Sequence, residues 1–219
     1  MKVGVLTNLN SRRNRAGGSD LPAKGLKGSC VVRRTSDISE IRPALEEFID
    51  MGCDCWVADG GDGTLHWMLN EGREVLKKRG MWNGGSAYPM IVPSNSGTID
   101  FVARTVGIRG TTDKVVRSLL DGGGQDDDFE TVCLDTIDVR GHVHGDPDGT
   151  CAFERTGFAI AIGGIGQKFF AKYYQRPHRN PLSIIDISAR TSVGYIASLL
   201  PEKRSEERRV GKECRSRWS

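Results

Sequence analysis

Three glycines and an aspartate stand together in Gly60-Gly61-Asp62-Gly63-Thr64, directly behind the apolar run Trp56 to Ala58 and directly before the helix-like LHWMLN. A strand, a glycine turn and a helix start, in that order, form a geometry that holds phosphate. Glycine tolerates positive φ and carries no Cβ, so the backbone can turn tightly and approach an anion. The N–H groups left over at a helix start then point at the ligand. Asp62 is out of place in a plain anion site, because a carboxylate repels a phosphate unless a metal or a transferable proton lies between them. The motif therefore points to metal-nucleotide chemistry as well as anion binding.

Such a loop needs a scaffold, and residues 3–120 alternate strand-like and helix-like stretches. VGVLT, CVVRR, CWVAD and PMIVP read as strands. SDISEIRPALEEFIDMG reads as a helix with Ile38, Ile41, Leu45 and Phe48 on one stripe, Pro43 being tolerated in its first turns. TLHWMLNEGREVLKKRG is a second helix with Leu65, Met68 and Leu69 inward, and two more are expected at Thr98 to Val106 and Thr111 to Leu120. The alternation predicts an α/β fold with a parallel sheet covered on both faces, over residues 1–124. Ligands of such sheets bind beyond the carboxyl ends of the strands, where the loops at 60–64 and 93–98 both lie.

DGGGQDDD at 121–128 reads as a linker, and the pattern then turns to strands: TVCLDTIDVRG, a turn-rich HGDPDGT, and AFERTGFAIAIGG. A short turn joins antiparallel neighbours, so 125–203 reads as the start of a β-rich second domain, incomplete, with helices at 168–174 and about 190–200.

The chain has 219 residues with 31 Lys and Arg against 28 Asp and Glu, a net charge of +3 that would hint at nucleic acid or an anionic membrane. Residues 204–219 hold six of those basic and three of the acidic residues, so without them the balance is 25 to 25 and no nucleic-acid partner is expected. That segment lacks apolar periodicity and resembles a translated sequencing adapter. It is expected to be an artefactual tail, with the natural sequence interrupted near Lys203. No apolar stretch reaches the ~20 residues of a membrane span, and MKVGVLTN reads as a strand, not a signal peptide, so cytoplasmic placement is expected. The six cysteines lack paired CxxC spacing; buried reduced thiols are expected, with Cys53 and Cys55 on one strand face.

VADGGDGTLHWMLN followed some 30 residues later by VPSNSGTIDFVAR resembles the catalytic domain of the diacylglycerol kinase family, which embraces sphingosine kinases and bacterial lipid kinases. Departures are Ile99 in place of the family asparagine before Asp100, one residue added after Pro93, and Leu9 in place of a proline. The resemblance implies that the two loops close on one ATP. Gly60, Gly61 and Gly63 would offer N–H groups to phosphates, and Thr64 would cap the helix or bind a phosphate oxygen. Ser94, Asn95, Ser96, Gly97, Thr98 and Asp100 would contribute from the second loop, and Asn8 from the first strand. Mg²⁺ would arrive with the nucleotide, and Asp62 would either contact its water shell or accept the proton of the attacking hydroxyl.

The implied activity is transfer of the γ-phosphoryl group to a lipid hydroxyl, such as that of diacylglycerol or a sphingoid base, at a membrane surface. Asp135, with Asp138 beside it, matches an acidic position of the lipid-side domain. The alternatives are an NAD kinase-like enzyme, which shares the GGDGT-type turn, and a non-catalytic nucleotide-binding fragment. His142 and His144 read as solvated, Trp67 and Met68 as core or interface, and Arg12, Arg13 and Arg15 as a solvated loop or a greeting for phosphate or anionic headgroups.

Overall fold

The structure is a computed structural model that describes residues 1–17, 29–84, 87–121, 130–142 and 152–158, together with 172, 175, 185–190 and 193. The chain divides into two compact units, Met1–Ile160 and Ala161–Ser219. Both glycine loops belong to the first unit, within which all the strands and helices named below lie.

Strands β1 (Val3–Asn8), β2 (Cys30–Thr35), β3 (Cys55–Asp59) and β4 (Met90–Pro93) form one parallel sheet in the order β2-β1-β3-β4. Val3 pairs with Cys30 on one side and Cys55 on the other, so β1 and β3 lie inside the sheet. Their apolar runs are buried along their length, as a sheet covered on both faces requires. Helices α2 (Ile41–Asp50) and α3 (Asp62–Lys78) cover one face, packing Leu45, Phe48, Leu65 and Met68 against Leu6, Trp56 and Ala58. Helix α5 (Thr112–Asp121) covers the other, setting Val116 and Leu119 against Val3, Val5, Val57 and Val92. Two short helices, α1 (Arg12–Arg15) and α4 (Phe101–Thr105), follow β1 and β4.

Three expectations from the sequence need correction. The helix expected from residue 36 opens as a 3₁₀ turn, Ile38–Glu40, and Ile38 is 43% exposed instead of joining the apolar stripe. Asp37 accepts from the Ser39 amide (2.8 Å) and Glu40 from the Asp37 amide (3.2 Å), a capping box that fixes the tighter turn and swings Ile38 outward. The helix expected from Thr98 begins only at Phe101, because Asp100 is left-handed (φ 53) and interrupts right-handed winding. The strand expected from Thr131 begins at Ile137, residues 130–136 having no regular structure.

Strands β5 (Ile137–His142) and β6 (Ala152–Gly157) pair antiparallel, as the turn-rich insert between them implies. A lone two-stranded ribbon is marginal in water. Helix α3 supplies the missing support through two polar residues in its middle. Buried Asn70 donates through Nδ2 to the Thr156 carbonyl (2.8 Å) and accepts the Thr156 N–H at Oδ1 (2.9 Å), so its amide reads the β6 backbone as another strand would. Buried Arg73 donates to Thr156 Oγ1 and to the Glu154 carbonyl, both at 2.8 Å. Asn70→Ala leaves a buried N–H and carbonyl unpaired. The expected loss is about 1–3 kcal/mol of unfolding free energy, read from urea denaturation.

Cys30, Cys53 and Cys55 are buried free thiols and Cys133 is exposed. Burial pushes the Cys30 thiol up to about 11 and the Cys55 thiol up to about 12. Among the described residues no helix is long and apolar enough to cross a membrane. Cys151, Cys214, His144, the tail 204–219 and, but for Lys172, Arg190 and Val193, the helices expected at 168–174 and about 190–200 lie outside the described residues.

Candidate functional site

Beyond the carboxyl ends of β1, β3 and β4 the two glycine loops meet directly. A Cβ built on Gly97 would stand 2.5 Å from the Gly61 Cα and 2.5 Å from Asp100 Oδ1. These glycines are required for space and not for dihedral freedom, since Gly60, Gly61, Gly63 and Gly97 all keep φ outside the left-handed region. Gly60 is equally confined: its Cβ would lie 2.0 Å from Thr64 Oγ1. Gly63 differs, with nothing within 4 Å of its would-be Cβ, and it is exposed at the first turn of α3.

Helix α3 begins at Gly61 with no side-chain cap. The capping expected of Thr64 is therefore not seen; its hydroxyl instead accepts from Asn8 Nδ2 (2.9 Å), which joins the end of β1 to the glycine turn. Asn8 in turn accepts the Asn10 N–H at 2.8 Å. An uncapped start on a 17-residue helix leaves N–H dipoles aimed at the rim shared by both loops.

Asp62 resolves the difficulty its sequence position raised. Its Oδ2 accepts the Phe101 N–H (2.9 Å) and its Oδ1 the Val102 N–H (3.0 Å), so its charge is met by the start of α4. The carboxylate ties the GGDGT turn to the second loop across some 40 residues of sequence, and each oxygen keeps further acceptor capacity.

Asp100 faces the same junction, buried, accepting the Gly97 N–H at 2.9 Å. Burial raises its carboxyl above the usual range and the neighbouring Asp62 charge raises it further, against lowering by the Gly97 N–H and by Arg104 and Arg13. The folded state thus favours the protonated form, and stability falls as pH rises from the unfolded value through the folded one. Asp100→Asn keeps the Oδ1 acceptor and tolerates the left-handed backbone. Its melting temperature is expected to exceed that of the wild type at pH 7, with the gap closing below pH ~4 as the wild-type carboxyl protonates.

The other residues of the second loop turn mostly inward. Ser94 Oγ accepts the Gly60 N–H (3.2 Å), and Ser96 Oγ, fully buried, donates to Asp59 Oδ1 (2.8 Å). Asn95 donates to the Ile108 carbonyl (2.7 Å), while Thr98 lies half-buried on the loop. Helix α1 is tied to both loops by backbone and amide groups: the Arg13 amide donates to the Ser96 carbonyl (3.1 Å), and Asn14 Nδ2 to the carbonyls of Asn8 (3.0 Å) and Asp59 (3.1 Å), while the Arg13 guanidinium donates to the Gly110 carbonyl (3.4 Å). Asp138 lies on β5, accepting from Thr156 Oγ1 (2.5 Å), and Asp135 and His142 are exposed, so none of the three joins the loops.

Periodicity carried no sign of Asp59, Thr7, Thr112 or Ser11. The available signal for Asp59 was a single charge closing the apolar strand CWVAD. Ser11 Oγ, Asn14 Oδ1 and Asn95 Oδ1 are buried without a hydrogen-bond partner among the described residues.

This donor set fits a polyphosphate: an uncapped helix start, an open glycine and an unpaired buried hydroxyl at one rim. It does not make a metal cage, since no group of three or more His, Cys, Asp or Glu among the described residues could hold an ion. Asp62 and Asp100 are the carboxylates at this rim, so an ion here would have to be carried in by its ligand. Compared with models of known protein families and with curated proteins, the chain matches none.

Proposed function

We propose that the first unit binds the phosphates of ATP between its two glycine loops and belongs to an ATP-dependent lipid kinase. The observation that carries this reading is the contact of Gly61 with Gly97, which closes the GGDGT turn and the SGTID loop around one rim at the carboxyl ends of a parallel sheet. Open sheets of this kind bind ligands there. The start of α3 and the open face of Gly63 would receive the phosphates, with Arg13 and the Asn8–Thr64 pair beside them. Magnesium carried by the nucleotide would neutralise charge on the transferring group. Asp62, anchored on α4, would hold its remaining lone pairs toward the acceptor hydroxyl or the ion's water shell.

A lipid acceptor is supported by the resemblance of both loops and by a cavity of about 1290 Å³ whose walls combine apolar side chains such as Leu65, Leu69 and Val102 with charged ones such as Arg73, Lys77 and Arg109. The apolar part of such walls suits an acyl chain. The acceptor hydroxyl would reach the site from a membrane surface, with the protein bound peripherally.

The test is a thin-layer assay with γ-labelled ATP offered diacylglycerol, sphingosine and NAD in parallel. Label in a lipid spot supports the kinase; label on NAD alone favours an NAD kinase-like enzyme; ATP binding without transfer leaves a non-catalytic nucleotide-binding fragment.

A further inference from the structure

A carboxylate with no role in the proposed chemistry lies buried beneath the loops. Asp59 ends β3, is 0% exposed, and has three hydroxyl partners. Thr7 Oγ1, from the end of β1, donates to its Oδ2 (3.0 Å); Ser96 Oγ (2.8 Å) and Thr112 Oγ1 (2.6 Å) donate to its Oδ1. Each hydroxyl comes from a different segment: β1, the second loop and the start of α5. No cation is among its partners in the described residues. All three hydroxyls donate inward to its two oxygens.

Ser96 and Thr112 lie 3.2 Å apart, but each has spent its proton on Asp59 and neither donates to the other. Ser94 Oγ accepts the Gly60 N–H (3.2 Å), and its own proton has both Ser96 Oγ (3.3 Å) and the Gly60 carbonyl (3.4 Å) within reach. The result is a hydroxyl chain that links Gly60 through Ser94 and Ser96 to Asp59. It crosses from the first loop to the second and back to the strand that delivers the first. A buried carboxyl group that loses its hydroxyl partners is left unsatisfied, so this cluster is costly to disturb.

We infer that Asp59 is a positioning residue that sets the spacing of the two loops, and through it nucleotide affinity. The affinity clause rests on the proposed nucleotide site; the spacing clause does not.

The experiment is hydrogen exchange by mass spectrometry on the whole chain without nucleotide, joined to titration with a fluorescent ATP analogue. Asp59→Ala and Ser96→Ala are each expected to speed exchange at residues 94–100 by at least about tenfold while β1 and β3 stay protected. Asp59→Asn is expected to restore most of the protection, because its Oδ1 still accepts from Ser96 and Thr112. Nucleotide affinity should follow the same order, about tenfold weaker in the alanine variants and near wild type in the asparagine variant. If Asp59→Ala unfolds, Ser96→Ala decides alone. Unchanged exchange at 94–100 in Ser96→Ala, or an asparagine variant no better than the alanine one, would overturn the inference. A wild-type chain that does not bind the ATP analogue would defeat the nucleotide reading, and the exchange result would still judge the spacing role.

Discussion

Gly97→Ala is expected to weaken nucleotide binding on the order of 10²-fold while the sheet stays folded. The added methyl would lie 2.5 Å from both the Gly61 Cα and Asp100 Oδ1, closer than real carbon contacts come. Neither neighbour can step aside easily: Gly61 starts a 17-residue helix packed on the core, and Asp100 is bonded to Gly97's own N–H at 2.9 Å. Overpacking of this sort costs about 1–3 kcal/mol, a fraction of the roughly 5–15 kcal/mol that holds a domain, so the fold survives. Its relief lies in moving the loops apart. A displacement of ~1 Å at a site that works by positioning costs on the order of 10²-fold. Circular dichroism melts and an ATP-analogue titration on one sample separate the two effects. Gly63→Ala is the contrasting case, since open space surrounds its would-be Cβ. It should melt within about 0.5 kcal/mol of wild type, as surface changes do, yet bind nucleotide more weakly if phosphate lies over that turn.

Asp62→Ala is expected to remove phosphoryl transfer without unfolding the chain. It releases the N–H groups of Phe101 and Val102 from the carboxylate oxygens that accept them, 2.9 and 3.0 Å away, and removes a charge from the rim. Lost capping of this kind costs about 0.5–2 kcal/mol, well short of global unfolding. Asparagine should not rescue it fully, because both oxygens accept and an amide nitrogen would face one of the two N–H groups. Loss of activity in Asp62→Asn is thus no proof of proton transfer. The informative comparison is turnover against nucleotide affinity. A bracing role alone lowers both together; a role toward the hydroxyl or the ion lowers turnover by about 10²–10⁴-fold with affinity held within a few fold. Full activity in Asp62→Ala would remove Asp62 from either role.

The parallel sheet was legible because its signal is periodic and local. Runs such as VGVLT and CWVAD bounded by glycine turns, and the stripe Ile41, Leu45 and Phe48, report burial directly. Both glycine loops were legible for the same reason, as was their arrival at strand ends. What sequence could not show are polar pairings across long separations. Asp62 looked like an unshielded charge because its partners, Phe101 and Val102, stand 39 and 40 residues away. Asn70 and Arg73 look like a solvated helix face, yet they are buried against β6. Glycine at 61 was read as freedom to turn and to approach an anion, whereas the pressure at 61 and 97 is steric and arises only when the two loops meet. Asp100 broke a helix expected to run through it, since a left-handed aspartate leaves no mark in hydrophobic periodicity.

The most direct measurement is a backbone amide NMR titration of the whole chain with Mg-ATP. The shared-site reading expects the amides of Gly61 to Thr64 and of Ser94 to Asp100 to shift together, along one saturation curve and with one dissociation constant. Shifts confined to one loop, shifts saturating at different concentrations, or none at either loop would contradict it.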